Sequence, residues 1–373
     1  MGAILLGNAA TLTIDEPHQA EGMIAVQCLA PDGKDAKNGP GPANVVSKPD
    51  PLDPKLDADV ATRKAAVAFL RPLAARGDAR AQAGLAYLLE QGADGPADPA
   101  EVAALYRAAA LAGVTFAQSA LGNLYASGVG VPRYWSEAVR WWTSAAIGGD
   151  AKARLRLALA YAGGNGVDRN DATAECLLVG LDDEADALVA RGDLAIRRQP
   201  LKDGAADAAR FYMLATRQGN LRAQARLGLL LLEGQGGARD AAAAAQMLQA
   251  PAEAGDVSAQ VALAGLFALG RGVEKDRRKA YELNRHAAAA GSLEAMNNLG
   301  ALTEAGKFRS LQLVEATMWY SLAADRGSAE AARNLARILP RLTERQLLHA
   351  RQSARRCVDS NWRECGTTPE ESK

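Results

Sequence analysis

The chain has 373 residues, 49% of them hydrophobic but only 5% aromatic, and alanine is abundant. Lysine plus arginine and aspartate plus glutamate each total 43, so no net basic field exists to hold nucleic acid. No apolar run reaches the roughly 18 residues of a membrane-spanning helix, and many small residues with few aromatics suit closely packed helices better than β-sandwiches or barrels.

Residues 1–55 stand apart from the rest. The opening MGAILLGNAATLTIDEPHQ lacks a cationic n-region, and Leu6 breaks the myristoylation pattern. The expectation is a cytoplasmic chain, with a periplasmic or secreted one as the alternative if a leader has been removed or the start mis-assigned. ATLTID and GMIAVQCLA could form short strands, whereas KDAKNGPGPANVVSKPDPLDPK reads as a disordered linker rich in proline and glycine. A leading helix follows within 56–77, carrying Val60, Val67, Phe69 and Leu70.

From there a period governs the chain. Glycines recur at Gly77, Gly113, Gly149, Gly219, Gly255, Gly291 and Gly327, and Asp183 fills the long gap with one two-residue deletion. The result is about seven units of 36 residues over 78–327, the mark of a solenoid. Four residues after each anchor comes alanine (Ala81, Ala117, Ala153, Ala187, Ala223, Ala259, Ala295, Ala331), and eight after it comes leucine except at Arg191. Later in each unit a glycine loop recurs, such as Gly128 with Gly130 and Gly270 with Gly272. A loop repeated at one phase is a helix connector, not a phosphate cradle.

Each unit reads as two helices. In the second, Ala117, Ala120, Leu121, Leu124 and Tyr125 form one apolar face, SGVGVP breaks the helix, and Ser136 is placed to cap the next. Trp141 and Trp142 belong to a column of bulky residues with Phe69–Leu70, Leu105–Tyr106, Phe211–Tyr212 and Trp319–Tyr320, so they read as core. In the fourth unit Arg191 and Arg198 replace the core leucine and loop glycine. That unit is either a degenerate repeat or an inset exposing Arg197, Arg198 and Lys202. Pro251 should bend the second helix of the fifth unit. Residues 328–373 supply capping helices, the last opened by a Thr343–Gln346 capping box and running to about Cys357, and then a tail.

The segments AQSALGNLYASGVGVPRYWSEAVRWWTSAAIGG, RAQARLGLLLLEGQGG and SAQVALAGLFALGRGVEKDRRKAYELNRHAAAAG resemble the Sel1-like repeat family, relatives of the tetratricopeptide repeats. The resemblance implies an all-α, right-handed superhelical solenoid and a non-enzymatic adaptor or scaffold in bacterial signalling, envelope regulation or complex assembly. Some Sel1-like proteins are credited with β-lactam binding or hydrolysis. Those carry paired cysteines in their repeats, whereas only Cys176 falls inside a unit here. A periplasmic ligand-binding or β-lactamase-like protein is therefore the second reading.

Catalytic signatures are lacking. The three histidines, His18, His286 and His349, sit in no metal-binding or nucleophile motif, so neither a cofactor nor a metal is expected. Cys176 reads as a small buried hydrophobe, and Cys357 with Cys365 could close a disulfide loop in an oxidising compartment. Stacked helix pairs create a concave surface lined by first helices, suited to a peptide or partner protein. Its candidates are Gln118, Asn123, Arg154, Arg156, Arg222, Arg226, Asn297, Asn298 and Asn334, because amides bond a peptide backbone and guanidinium forks onto carboxylate. For the glutamine column of Gln82, Gln118, Gln224 and Gln260, the other reading is a bond to interhelical or loop carbonyls.

Overall fold

The computed structural model describes residues 60–198, 202–305 and 310–365, so the expectations for residues 1–55 lie outside it. The described residues form α-helices, one 3₁₀ turn and no strand. They fall into two compact units divided between Asp182 and Asp183.

The first unit contains α1 (Val60–Ala75), α2 (Ala79–Glu90), α3 (Pro99–Leu111), α4 (Thr115–Ser127), α5 (Trp135–Ile147), α6 (Ala151–Gly163) and α7 (Asp171–Leu178). The second contains α8 (Ala185–Arg198), α9 (Lys202–Arg217), α10 (Leu221–Glu233), α11 (Ala241–Glu253), α12 (Val257–Leu269), α13 (Arg277–Ala289), α14 (Leu293–Glu304), α15 (Ser310–Ala324), α16 (Ala329–Ile338) and α17 (Glu344–Asp359). Within each unit every helix packs on its successor, except that α17 folds back onto α15. This is a solenoid of helix pairs. The fourth unit, despite its divergent residues, still forms the packed pair α8–α9.

Local chemistry explains the period. The residue after each anchor glycine caps the first helix, and its side chain accepts from the backbone N–H of the alanine column. Asp78, Asp150 and Asp256 do so at 2.8 Å, and Asn220 does so at 2.9 Å. Ser292 and Ser328 make the same bond at 3.2 Å. Val114 stands at this position before α4 and gives no side-chain cap. The alanines of the column are fully buried, since any larger group would push the helices apart.

The glycine loop has a packing cause. Gly130 takes φ +70, and a Cβ there would lie 2.5 Å from the carbonyl carbon of Pro99, at the start of the previous unit's second helix. Gly166 meets Trp135 and Gly272 meets Ala241 in the same way. The second loop glycine thus sets the approach of one repeat to the next. The cap of α5 differs from the expectation: Tyr134, not Ser136, is the N-cap, because the Tyr134 N–H closes the loop onto the Tyr125 carbonyl at 2.9 Å.

Trp142 is buried and donates from Nε1 to Asn123 Oδ1 at 3.0 Å, while Trp141 is half-buried. The same bond recurs down the column. Tyr106 donates to Glu90 at 2.8 Å, Tyr212 to Asp193 at 2.6 Å and Tyr320 to Glu304 at 3.2 Å. Gly122, Gly192 and Gly300 make room for these rings, since a Cβ at any of them would strike one. Each aromatic therefore fills the gap within a pair and satisfies its polar tip on the first helix.

Arg191 keeps its anomalous place by lying over the Phe211 ring at 4.3 Å. Arg197 and Arg198 are exposed at the end of α8, and the side chain of Lys202 lies outside the description. Pro251 sits inside α11, which runs on to Glu253. The Thr343–Gln346 capping box opens α17, and Cys357 is bridged to Cys365. That bridge folds the chain's last described turn against the buried cluster containing Trp319 and Ile338. Cys176 is half-buried and is not a free thiol, which corrects its reading as a small buried hydrophobe.

Candidate functional site

The first helices of successive repeats lie side by side, as contacts of α10 with α12 and of α12 with α14 show. The candidate residues stand on these helices, and most of them are engaged within the protein. Gln118 Nε2 donates to the Ala110 carbonyl at 3.2 Å, as Gln82 does to Ala74 and Gln260 to Ala252 at 3.0 Å. The bond joins a first helix to the end of the preceding second helix. These three members of the glutamine column thus serve the interhelical alternative.

Asn123 is committed to Trp142. In the second unit, Asn334 donates to Asn297 at 2.9 Å, linking α16 to α14, and Asn297 is itself buried. Asn298 donates to Asn284 at 3.4 Å. Arg222 meets Asp186 at 3.4 Å and Arg226 meets Asp193 at 3.7 Å, so both arginines bridge α10 to α8. These ion pairs are exposed and of small energetic worth. They position side chains more than they stabilise the fold.

Sequence reasoning passed over the carboxylates, and Glu304 is the centre of their strongest cluster. Arg337 donates to it from both terminal nitrogens at 2.6 Å, Arg341 approaches at 3.4 Å, and Tyr320 adds its hydroxyl. The Arg337 hydrogen bonds hold the Glu304 carboxyl below the ordinary carboxylate range. Burial first, then the charge of Glu304, pushes the Tyr320 hydroxyl up to about 12. The available signal was spacing: Glu304 and Arg337 stand one repeat apart, three residues short of the full period.

The first unit has a different character. Arg154 is half-buried on α6, where Nη2 donates to the Val179 carbonyl at 2.6 Å and Nε is enclosed without an acceptor. Burial draws its pKa below the usual guanidinium value. Arg156, two residues on and so on the opposite side of α6, is exposed and has no ion pair among the described residues. On the preceding first helix, α4, Phe116 is 44% exposed while packing edge-on against Tyr87 and Tyr106. Leu159 of α6 is 42% exposed. Among the described residues no cluster of His, Cys, Asp and Glu is arranged to hold a metal.

A family model described as Sel1 repeat matches residues 79–114, 115–150, 151–175, 221–256, 257–292 and 293–328, more than half of the chain. The matches start at the first residues of first helices, and the α8–α9 pair lies in the unmatched interval. Comparison with curated proteins gives no match. Among solved structures, the chain is similar to c5321, a protective antigen present in uropathogenic Escherichia coli strains and displaying an SLR fold. The identity is 28% and the TM-score 0.59, over 76% of this chain and 69% of that one. It is also similar to a Sel1 repeat protein from Oxalobacter formigenes, at 26% identity and a TM-score of 0.56, over 65% of this chain and 96% of that one.

Proposed function

The chain belongs to the Sel1-repeat family, whose members are in general protein-interaction scaffolds, and from that premise we propose that it is a non-enzymatic adaptor docking a polypeptide on the first-helix face of its first unit. One observation carries the choice of surface. Phe116 on α4 and Leu159 on α6 are exposed, and Arg156, one turn from Leu159 on α6, is an exposed cation not neutralised among the described residues. The corresponding arginine of the second unit, Arg226, is already paired with Asp193. A partner segment with an apolar side chain and a nearby carboxylate would bury the first two residues and pair with the third.

Arg154 supports the surface from behind, fixed to the Val179 carbonyl. The test is affinity capture with the intact chain, an Arg156→Glu variant and a Phe116→Ala/Arg156→Glu variant. Arg156 is exposed, so Arg156→Glu alone should leave the melting temperature within a few degrees while capture is lost. Phe116→Ala also gives up the edge contacts to Tyr87 and Tyr106 and should melt lower. Undiminished capture by the variants would remove this surface from the site.

A further inference from the structure

We propose that the groove between α11 and α13 is a binding site for a planar aromatic ligand of the indole class that carries an N–H or O–H donor. The site is separate from the docking surface above and does not rest on it. The groove is a cavity of about 640 Å³ lined by Leu263 and Phe267 of α12, Ala245 of α11 and Leu283 of α13, with the Lys279 ammonium over the Phe267 ring at 5.2 Å. That volume falls within the roughly 300–1,000 Å³ of small-molecule sites.

The repeat itself shows what fits there. One period beyond Leu283 stands Trp319, fully buried, and one period beyond Ala245 stands Tyr281, so the next groove along is filled by the chain's own aromatics. Four units earlier, the position of Leu283 is held by Trp141 and that of Gln249 by Arg107, whose guanidinium lies over the Tyr125 ring at 5.8 Å. Between α11 and α13 these positions hold Ala245, Leu283 and Gln249, and no aromatic ring. The walls do not close to compensate, because their spacing is set elsewhere. Gly272 seats directly against the first turn of α11, with room for no Cβ.

The polar feature is Gln260, which lines the groove and is 6% exposed. Its Nε2 makes the interhelical bond of its column, but its Oε1 is enclosed and accepts from no donor. A buried acceptor without a donor is costly, and a ligand N–H or O–H would relieve it. An aromatic ring in the groove would take the place that Trp141 and Trp319 fill in their own repeats, with its donor directed to the Gln260 carbonyl oxygen.

The experiment uses the full chain and ligand-observed saturation-transfer NMR with isothermal titration. The probes are indole, 1-methylindole and N-acetyltryptophanamide. Indole is expected to bind saturably, with 1-methylindole weaker by about tenfold, the loss of one buried hydrogen bond. Leu283→Trp and, separately, Ala245→Tyr place in this groove the residues found at the same register elsewhere, and each should abolish binding while the protein still melts cooperatively. Two variants are used so that one that fails to fold leaves the other to decide. Binding of N-acetyltryptophanamide as tight as that of indole assigns the ligand to a tryptophan side chain of a polypeptide; exclusion of it assigns a free small molecule. No saturable binding of indole, or binding unchanged in a folded variant, overturns the site. Equal binding of 1-methylindole overturns the role of Gln260.

Discussion

Substituting Gly130 by alanine tests the claim that the loop glycines set the contact between repeats. Gly130 and Gly149 both have left-handed backbones, at φ +70 and φ +88. An alanine at either position bears the left-handed penalty of roughly 1–2 kcal/mol. They differ in surroundings. A Cβ at Gly149 meets nothing within 4 Å, whereas one at Gly130 falls 2.5 Å from the Pro99 carbonyl carbon, in backbone that no rotamer change can clear. Relief requires moving the start of α3 away from the loop, an overpacking distortion of about 1–3 kcal/mol. Gly149→Ala should therefore cost about 1–2 kcal/mol, and Gly130→Ala about 2–5 kcal/mol in all. Urea titrations followed by circular dichroism compare the two through their midpoints at unchanged slope. Costs equal within about 0.5 kcal/mol, near the limit of such comparisons, would mean that the glycine serves only its own turn and that repeat spacing is set elsewhere.

Two further outcomes follow from the caps and the charge cluster. Val114→Asp should stabilise the protein by about 1 kcal/mol, because Val114 already has the backbone of its sibling caps, φ −72 and ψ 106 against −71 and 108 at Asp150. A fall in melting temperature would contradict this. Glu304 has a folded-state pKa depressed by its bonds to Arg337, so its contribution is present above the ordinary carboxylate range and lost as pH falls through the folded value. The stability gap between the wild type and Glu304→Gln should therefore be constant near neutrality and close in acid; a gap independent of pH down to acid unfolding would show that the cluster acts through packing alone.

The repeat was legible because its causes are local and repeated. A capping Asp, Asn or Ser before most first helices and the left-handed glycine that ends several of them answer backbone needs met within a few residues. The buried alanines and second loop glycines, though their cause lies between helices, show in the sequence because every repeat meets the same neighbour. The Thr343–Gln346 box could be read for the same reason, and so could the bulky column. Ser136 was misplaced as a cap because the Tyr134 N–H bonds back across the loop to the Tyr125 carbonyl while the Tyr134 carbonyl accepts from Ala138, so the helix starts earlier than the serine suggests.

The candidate site was less legible. An arginine, asparagine or glutamine on a first helix carries the same sequence signal whether it faces a partner or a neighbouring helix. Gln118 and Asn123 are bonded inside the first unit, and Asn297 to Asn334 inside the second, while Arg156 has no ion pair among the described residues. The groove over Gln260 left a trace in the sequence as a lapse in size, since Ala245 and Leu283 stand where the next repeat has Tyr281 and Trp319. Whether a lapse collapses or stays open depends on the walls, and these are held by Gly272 against Ala241. The sequence by itself determined the repeat, its register and its helix ends, because those depend on backbone hydrogen bonds and side-chain size at short range. Only the tertiary structure decided which polar groups are satisfied and which spaces remain, because both depend on what a side chain meets from another repeat.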